Sequence, residues 1–283
     1  MYGSVRITGV AIVLLAAFAI GIWSAAFAAD HRGTLTVSFL DVGGGSAAFI
    51  TAPSGRTALV DGGPDTSVLR KLSSELPWWQ HSLDVVISSS PAAGSSVGLV
   101  DVLSRYHIGT IVRSPVSGSD QYSRALASAI DAARGKGADV ATGKRGQIID
   151  MGSGSYIEVL SPDRDVSGVT ASDGCLVVRV VYGTTSFLLP CNASIGVQNY
   201  LAYLDGASLH SDVLELPGVG AKAPSELFVG YASPSFAVIS RDCRDAPAQV
   251  ALDMLARFGT QIADTCASGT VTFVSDGNSI VKK

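Results

Sequence analysis

The sequence predicts an α/β fold: two mixed β-sheets packed together, helices on the outside, and one hydrophobic helix at the N-terminus. Three observations predict it. Hairpin signals occur in both halves of the chain, at Pro53-Ser54-Gly55 and at Gly183-Thr184-Thr185. Around them, short apolar strands alternate with stretches of helical periodicity, a pattern that suits two sheets covered by helices. Residues Ile7 to Ala29 carry no charged side chain.

The elements follow in order. Leu35 to Leu40, Ala47 to Thr51 and Thr57 to Val60 read as strands, the last two joined by the Pro-Ser-Gly turn. Asp65 to Leu76 reads as a helix, with Val68, Leu69, Leu72 and Leu76 on one face and Pro77 ending it. Asp84 to Ser88 is a short apolar strand, Gly98 to Tyr106 a helix, and Ile108 to Arg113 a strand. Ser119 is the expected N-cap of a helix running to Arg134, which Gly135 and Gly137 stop. Strands are expected at Ala138 to Ala141, Gln147 to Asp150 and Tyr156 to Leu160. Pro162 to Gly174 is the most loop-like stretch. The second half holds the hairpin Cys175 to Tyr182 and Ser186 to Leu189, a helix over Ile195 to Leu204 and the strand Val213 to Leu216. A helix around Ser225 to Gly230, the strand Phe236 to Ser240 and a helix from Pro247 to Phe258 come next. Strands Gln261 to Ala263 and Thr270 to Val274 close the chain.

The 283 residues allow one domain plus a short appendage. Residues 1–30 are expected to be a membrane anchor or signal segment, and residues 31–283 the folded domain. The uncharged run is long enough for a bilayer-spanning helix, which needs about 20 apolar residues. Arg6 precedes it, so the positive-inside rule leaves the domain on the extracytoplasmic side. Ala26-Phe27-Ala28 also fits a signal cleavage site, so secretion after cleavage stands beside single-pass anchoring. A net charge of -4 lacks the basic footprint of strong autonomous nucleic-acid binding. The partners expected are the membrane and a protein within a membrane complex.

Several segments resemble the hydrolase-like domain of ComEC-type DNA-uptake proteins, a branch of the metallo-β-lactamase superfamily. Phe39-Leu40-Asp41-Val42-Gly43-Gly44-Gly45 looks like F-L-D-V-G-Q-G. Thr51-Ala52-Pro53-Ser54-Gly55 and Val60-Asp61-Gly62-Gly63-Pro64 are similar to T-P-S-G and L-I-D-G-G-P. Val178 to Gly183 and Ser186 to Leu189 resemble V-L-R-L-x-Y-G and S-F-L-L. The order holds from Leu35 to Gly277 and implies the αββα metallo-β-lactamase sandwich.

The superfamily's chemistry is metal-assisted hydrolysis, in which metal ions activate a water and need imidazole and carboxylate ligands. The resemblance puts Ser90, Ala92, Gly94 and Ser95 where the H-x-H-x-D-H motif should stand. Asn192 takes the place of the bridging Asp, Gly218 and Val219 that of the P-H-H-G histidines, and Ser46 an acidic position. The chain has 4 histidines, and none of His31, His81, His107 and His210 falls on these loops. The expectation is a domain with no metal and no cofactor, acting in binding or scaffolding. The alternatives are a metal-dependent phosphodiesterase-like hydrolase linked to DNA uptake and an exported structural domain that contacts another membrane protein.

Other chemistry-bearing residues have plainer readings. Ser88, Ser89, Ser90, Ser95 and Ser96 are expected to be solvated loop serines; a nucleophilic serine needs a base, and only Lys222 is near in sequence. Gly43-Gly44-Gly45 leads into no Gly-Lys-Ser/Thr helix, so it reads as a tight turn rather than a phosphate cradle. Asp41, Asp61, Gly62 and Gly63 read as a retained structural motif in which the carboxylates tie loop amides. Trp78-Trp79 reads as an interaction patch, core packing or a membrane-surface contact. Cys175 and Cys191 lie on either side of the second hairpin, and Cys243 and Cys266 follow neighbouring strands, so the expected disulfides are 175–191 and 243–266.

Overall fold

The computed structural model describes residues 12–23, 33–166, 168–216, 220 and 223–283. Residues 12–23 form a helix, α1. Among the described residues, no helix is long and apolar enough to cross a membrane.

Among the described residues, the first half supplies six strands of an eight-stranded sheet. Strands β1 (Leu35–Phe39), β2 (Ala48–Thr51) and β3 (Thr57–Val60) form an antiparallel meander. Helix α2 (Ser67–Glu75) leads to β4 (Ser82–Ser88), α3 (Ala93–Arg105) to β5 (His107–Arg113), and α4 (Gln121–Gly135) to β6 (Asp139–Thr142). From β3 onward these strands pair in parallel.

The second sheet has seven strands. β7 (Ile148–Gly152), β8 (Ser155–Ser161), β9 (Val177–Tyr182) and β10 (Thr185–Leu189) are antiparallel neighbours. Helix α5 (Ile195–Asp205) and a 3-10 turn (Gly206–Leu209) precede β11 (Val213–Glu215). Then come α6 (Glu226–Ala232), β12 (Phe236–Ile239), α7 (Gln249–Arg257), β13 (Gln261–Asp264) and the one-turn α8 (Thr265–Ser268). The chain returns to the first sheet as β14 (Val271–Ser275) and β15 (Ile280–Lys282).

The layers follow from strand period 2. Val37, Phe39, Val85 and Ile87 meet Val178, Val180, Phe187 and Leu189 between the sheets. Phe273 joins the two sides, its ring lying 6.1 Å from Phe39 and 6.3 Å from Phe187. The opposite face of the first sheet, through Leu59, Val86 and Ile111, packs on α2, α3 and α4 by Leu72, Leu99, Val102 and Leu126. The opposite face of the second, through Leu188, Leu214 and Ile239, packs on Leu201, Phe228 and Leu255 of α5, α6 and α7. The result is an αββα sandwich, as the sequence predicts.

Local details differ from expectation. Helix α3 begins at Ala93, not Gly98, so Gly94 and Ser95 lie in its first turn. Tertiary contact overrides weak propensity there: Ser46 N donates to Gly94 O at 3.1 Å and Gly62 N to Ser95 O at 2.8 Å. The N-cap of α4 is Asp120, not Ser119, because its carboxylate accepts from the backbone N–H of Tyr122 at 2.8 Å and Ser123 at 2.9 Å. The edge strand β15 escaped sequence reading because it is short and mostly exposed. The serines are not solvated: Ser88, Ser89, Ser90, Ser95 and Ser96 are all buried. They lie where β4 ends and α3 begins; Ser89 Oγ donates to Asp61 Oδ2 at 2.5 Å and Ser96 Oγ to Pro91 O at 3.1 Å in place of water.

Gly98 shows how closely α3 approaches the loop between β3 and α2. A Cβ there would lie 2.0 Å from Gly62 O and 2.5 Å from Asp65 O. Gly98→Ala is expected to destabilise the domain by about 1–3 kcal/mol through overpacking. Gly135→Ala, with nothing within 4 Å, is the control and should leave stability unchanged or raised. Urea unfolding midpoints of the two variants check this.

Candidate functional site

The loops that follow β1, β3, β4, β10, β11 and β12 gather at one end of the sandwich, where strands of both sheets finish. Backbone contacts lock them together. Gly63 N donates to Ser46 O at 2.9 Å, Gly98 N to Gly63 O at 3.1 Å, and Leu176 N to Ser89 O at 2.8 Å. A Cβ on Gly45 would lie 1.9 Å from Gly94 O, and the residue's φ of +84° independently favours glycine. The Gly-rich turn therefore serves close backbone approach.

A cavity of about 250 Å³ opens between these loops. Of the positions picked out by sequence, Ser46, Ala92, Gly94, Ser95 and Asn192 line it. Ser90 is buried beside them, and its Oγ accepts from Ala92 N at 3.2 Å. Gly218 and Val219 lie outside the described residues, as does Lys222. Cys191 lines the cavity and is bridged to Cys175; Cys243 is bridged to Cys266. Both expected disulfides are present.

Two buried carboxylates define the electrostatics. Asp61 follows β3 with φ +60° and accepts from Ser89 twice, from N at 2.8 Å and from Oγ at 2.5 Å. Burial pushes its carboxyl up to about 7; the Ser89 hydrogen bonds oppose this, while the Glu215 charge adds to it. Glu215 ends β11 and lines the cavity. It accepts from Ser46 Oγ at 2.7 Å and Ser240 Oγ at 3.3 Å, both on Oε1. Burial pushes it up to about 7 as well, against those two bonds. Asp41 is different. It is partly exposed, lies 3.2 Å from Lys71 Nζ, and accepts from Gly43 N at 3.3 Å.

Sequence reading missed Glu215. Its signal was a lone carboxylate in the apolar run Val213-Leu214-Glu215-Leu216. Period 2 puts Glu215 on the same face as Val213, which packs between the sheets.

The donor set does not fit a dinuclear metal centre. Among the described residues, the cavity wall presents hydroxyls, one carboxamide and the carboxylate of Glu215, whereas such centres take several imidazoles and carboxylates. Among the described residues, no group of three or more His, Cys, Asp or Glu could hold a metal ion. His107 begins β5, and His81 and His210 precede β4 and β11, all at the opposite end of the sheets. His31 lies outside the described residues.

Neither a family model nor a curated protein matches the chain. Solved structures do. The metallo-β-lactamase fold protein YhfI from Bacillus subtilis superposes with a TM-score of 0.52 at 14% identity, over 85% of this chain and 99% of that one. Zn(2+)-bound PqqB from Methylobacterium extorquens superposes at 0.53 and 10% identity, over 84% and 99%. CmlA, a diiron β-hydroxylase from Streptomyces venezuelae, gives 0.52 at 13% identity, over 81% of this chain and 52% of its own. This chain has the metallo-β-lactamase fold.

Proposed function

We propose that this chain is a membrane-tethered, non-catalytic metallo-β-lactamase-fold domain, related to the ComEC-type DNA-uptake domain and acting in binding or scaffolding. Residues 1–30 serve as anchor or signal segment and residues 31–283 as the working domain. In this reading Ser90, Ala92, Gly94, Ser95, Asn192, Gly218 and Val219 are former metal-ligand positions. The observation that carries it is the cavity wall, which among the described residues holds Ser46, Ala92, Gly94, Ser95 and Asn192, with Glu215 as its one carboxylate. The two disulfides suit an oxidising, extracytoplasmic compartment. The test is elemental analysis of the purified full chain, plus phosphodiester hydrolysis with added zinc or manganese. Substoichiometric metal and no turnover are expected; stoichiometric metal with turnover would overturn the proposal. Co-purification from membranes then seeks the protein partner.

Glu215 favours a second reading, hydrolysis without metal. A carboxyl pushed up to about 7 in a cavity is matched to acid–base work near neutral pH. Metal-independent turnover that Glu215→Gln abolishes would select it.

A further inference from the structure

The chain's 3 tryptophans all lie outside the core. Trp23 is in the apolar N-terminal run. Trp78 and Trp79 sit in the turn between α2 and β4, 84% and 50% exposed, with their rings edge to face at 5.6 Å. Exposing two indoles side by side on a folded domain leaves a large apolar area in water. Tryptophan favours surroundings with an apolar side and a wet side, above all the headgroup level of a bilayer.

The sheet register says which end of the domain they occupy. β1 and β2 pair antiparallel with Thr36 opposite Thr51, and Thr51 faces Thr57 at the start of β3. β3 and β4 run parallel, with Ala58 opposite Val85. The starts of β1, β3 and β4 therefore lie at one end of the strands of the first sheet. Trp78 and Trp79 just precede β4, and the N-terminal segment enters just before β1. Three strand spacings separate the two points, about 14 Å. Residues 24–32, which join Trp23 to the domain, reach up to about 30 Å when extended. The cavity lies at the other end of the strands.

We infer that Trp78 and Trp79 seat the domain on the lipid interface into which the chain's own apolar N-terminal segment inserts. This rests on the membrane-tethered reading and adds an orientation to it. The turn between α2 and β4 sits at headgroup level, and the cavity around Glu215 opens away from the bilayer. The tether and the tryptophan pair then act as two attachment points, restricting the domain's rotation about its anchor.

Tryptophan fluorescence tests this on the full chain, reconstituted in vesicles of phosphatidylethanolamine and phosphatidylglycerol. The lipids carry bromine on the acyl chain close to the headgroup. Trp23→Phe leaves only Trp78 and Trp79 emitting, and the Trp78→Phe/Trp79→Phe variant leaves only Trp23. The expected result for Trp23→Phe is blue-shifted emission that brominated lipid quenches and that acrylamide quenches less than in a denatured sample. Water-like emission, insensitive to brominated lipid, overturns the inference if Trp23 in the companion variant is quenched; the tether then stands alone. If Trp23 is not quenched either, the tethered reading falls and the inference falls with it. Quenching of both reports supports the two together.

Discussion

Raising the pH from about 4 to about 7 is expected to lower the stability of the domain. The cause is a pair of buried carboxyls at the cavity end of the sandwich, of which Glu215 lines the cavity. In the folded state Asp61 and Glu215 are pushed up to about 7, from ordinary values of 3.8 and 4.5. Across that window the folded chain holds protons that the unfolded chain has released, so folding stability falls as pH rises. The contribution is fully present below the unfolded values and is lost by the time pH passes the folded ones. Each pKa unit is worth about 1.4 kcal/mol, so the two carboxyls together set an upper bound of about 8 kcal/mol on the loss. Aspartates held below their ordinary range, such as Asp120 and Asp242, act the other way, but their window lies below about pH 4. Denaturant midpoints at pH 4.5 and 7.5 read the effect. The Asp61→Asn/Glu215→Gln pair should flatten the profile. Asn also tolerates the positive φ at position 61 and still accepts from Ser89 N. A wild-type stability that rises across this range would contradict the assignment.

Loss of the Cys175–Cys191 bridge is the second large effect. It closes a loop of 16 residues, for which chain entropy alone predicts about 3 kcal/mol. In a domain of this size that lowers Tm by roughly 6–12 °C. Alanine is the right replacement at both positions, because each cysteine is buried among apolar side chains including Leu160 and Ala193. The bridge also pins Cys191, held at φ +50°, beside Asn192 on the cavity wall. Cys175→Ala/Cys191→Ala should therefore loosen the cavity as well as the fold, seen as faster amide exchange at residues 191–194. Removing the other bridge, Cys243–Cys266 with a separation of 23, should cost a similar amount while leaving exchange at 191–194 unchanged. Equal Tm with and without reductant would argue against both bridges.

Much of the architecture is legible in local pattern. Thr57 to Val60 reads as a strand because an apolar run follows a Pro-Ser-Gly turn, and the structure places β3 there. The helix face Val68 and Leu72 is legible from its spacing. The pairing of Cys175 with Cys191 follows from a hairpin that brings distant positions opposite one another. At the site the same logic runs out. Nothing local marks Gly94-Ser95-Ser96 as a helix start, since Gly and Ser are weak helix formers. The bond of Ser46 N to Gly94 O, made across a long stretch of chain, helps fix it there. Nothing local says that five serines are buried either. That depends on how two sheet ends close on a helix.

The sequence by itself determined the layers, because alternation of period 2 and spacing of period 3.6 decide which faces must leave water, and residues in contact along the chain suffice to read them. It also determined which side chains the site loops can offer. Only the tertiary structure decided that Asp61 and Glu215 share one buried end of the sandwich, where burial raises both carboxyls and the charge of Glu215 raises Asp61 further. The two come from different sheets, and the field each feels is set by residues far away in sequence. Likewise, only the strand register decided that Trp78 and Trp79 face the end where the apolar segment enters. Register is a property of paired strands, which no single segment carries.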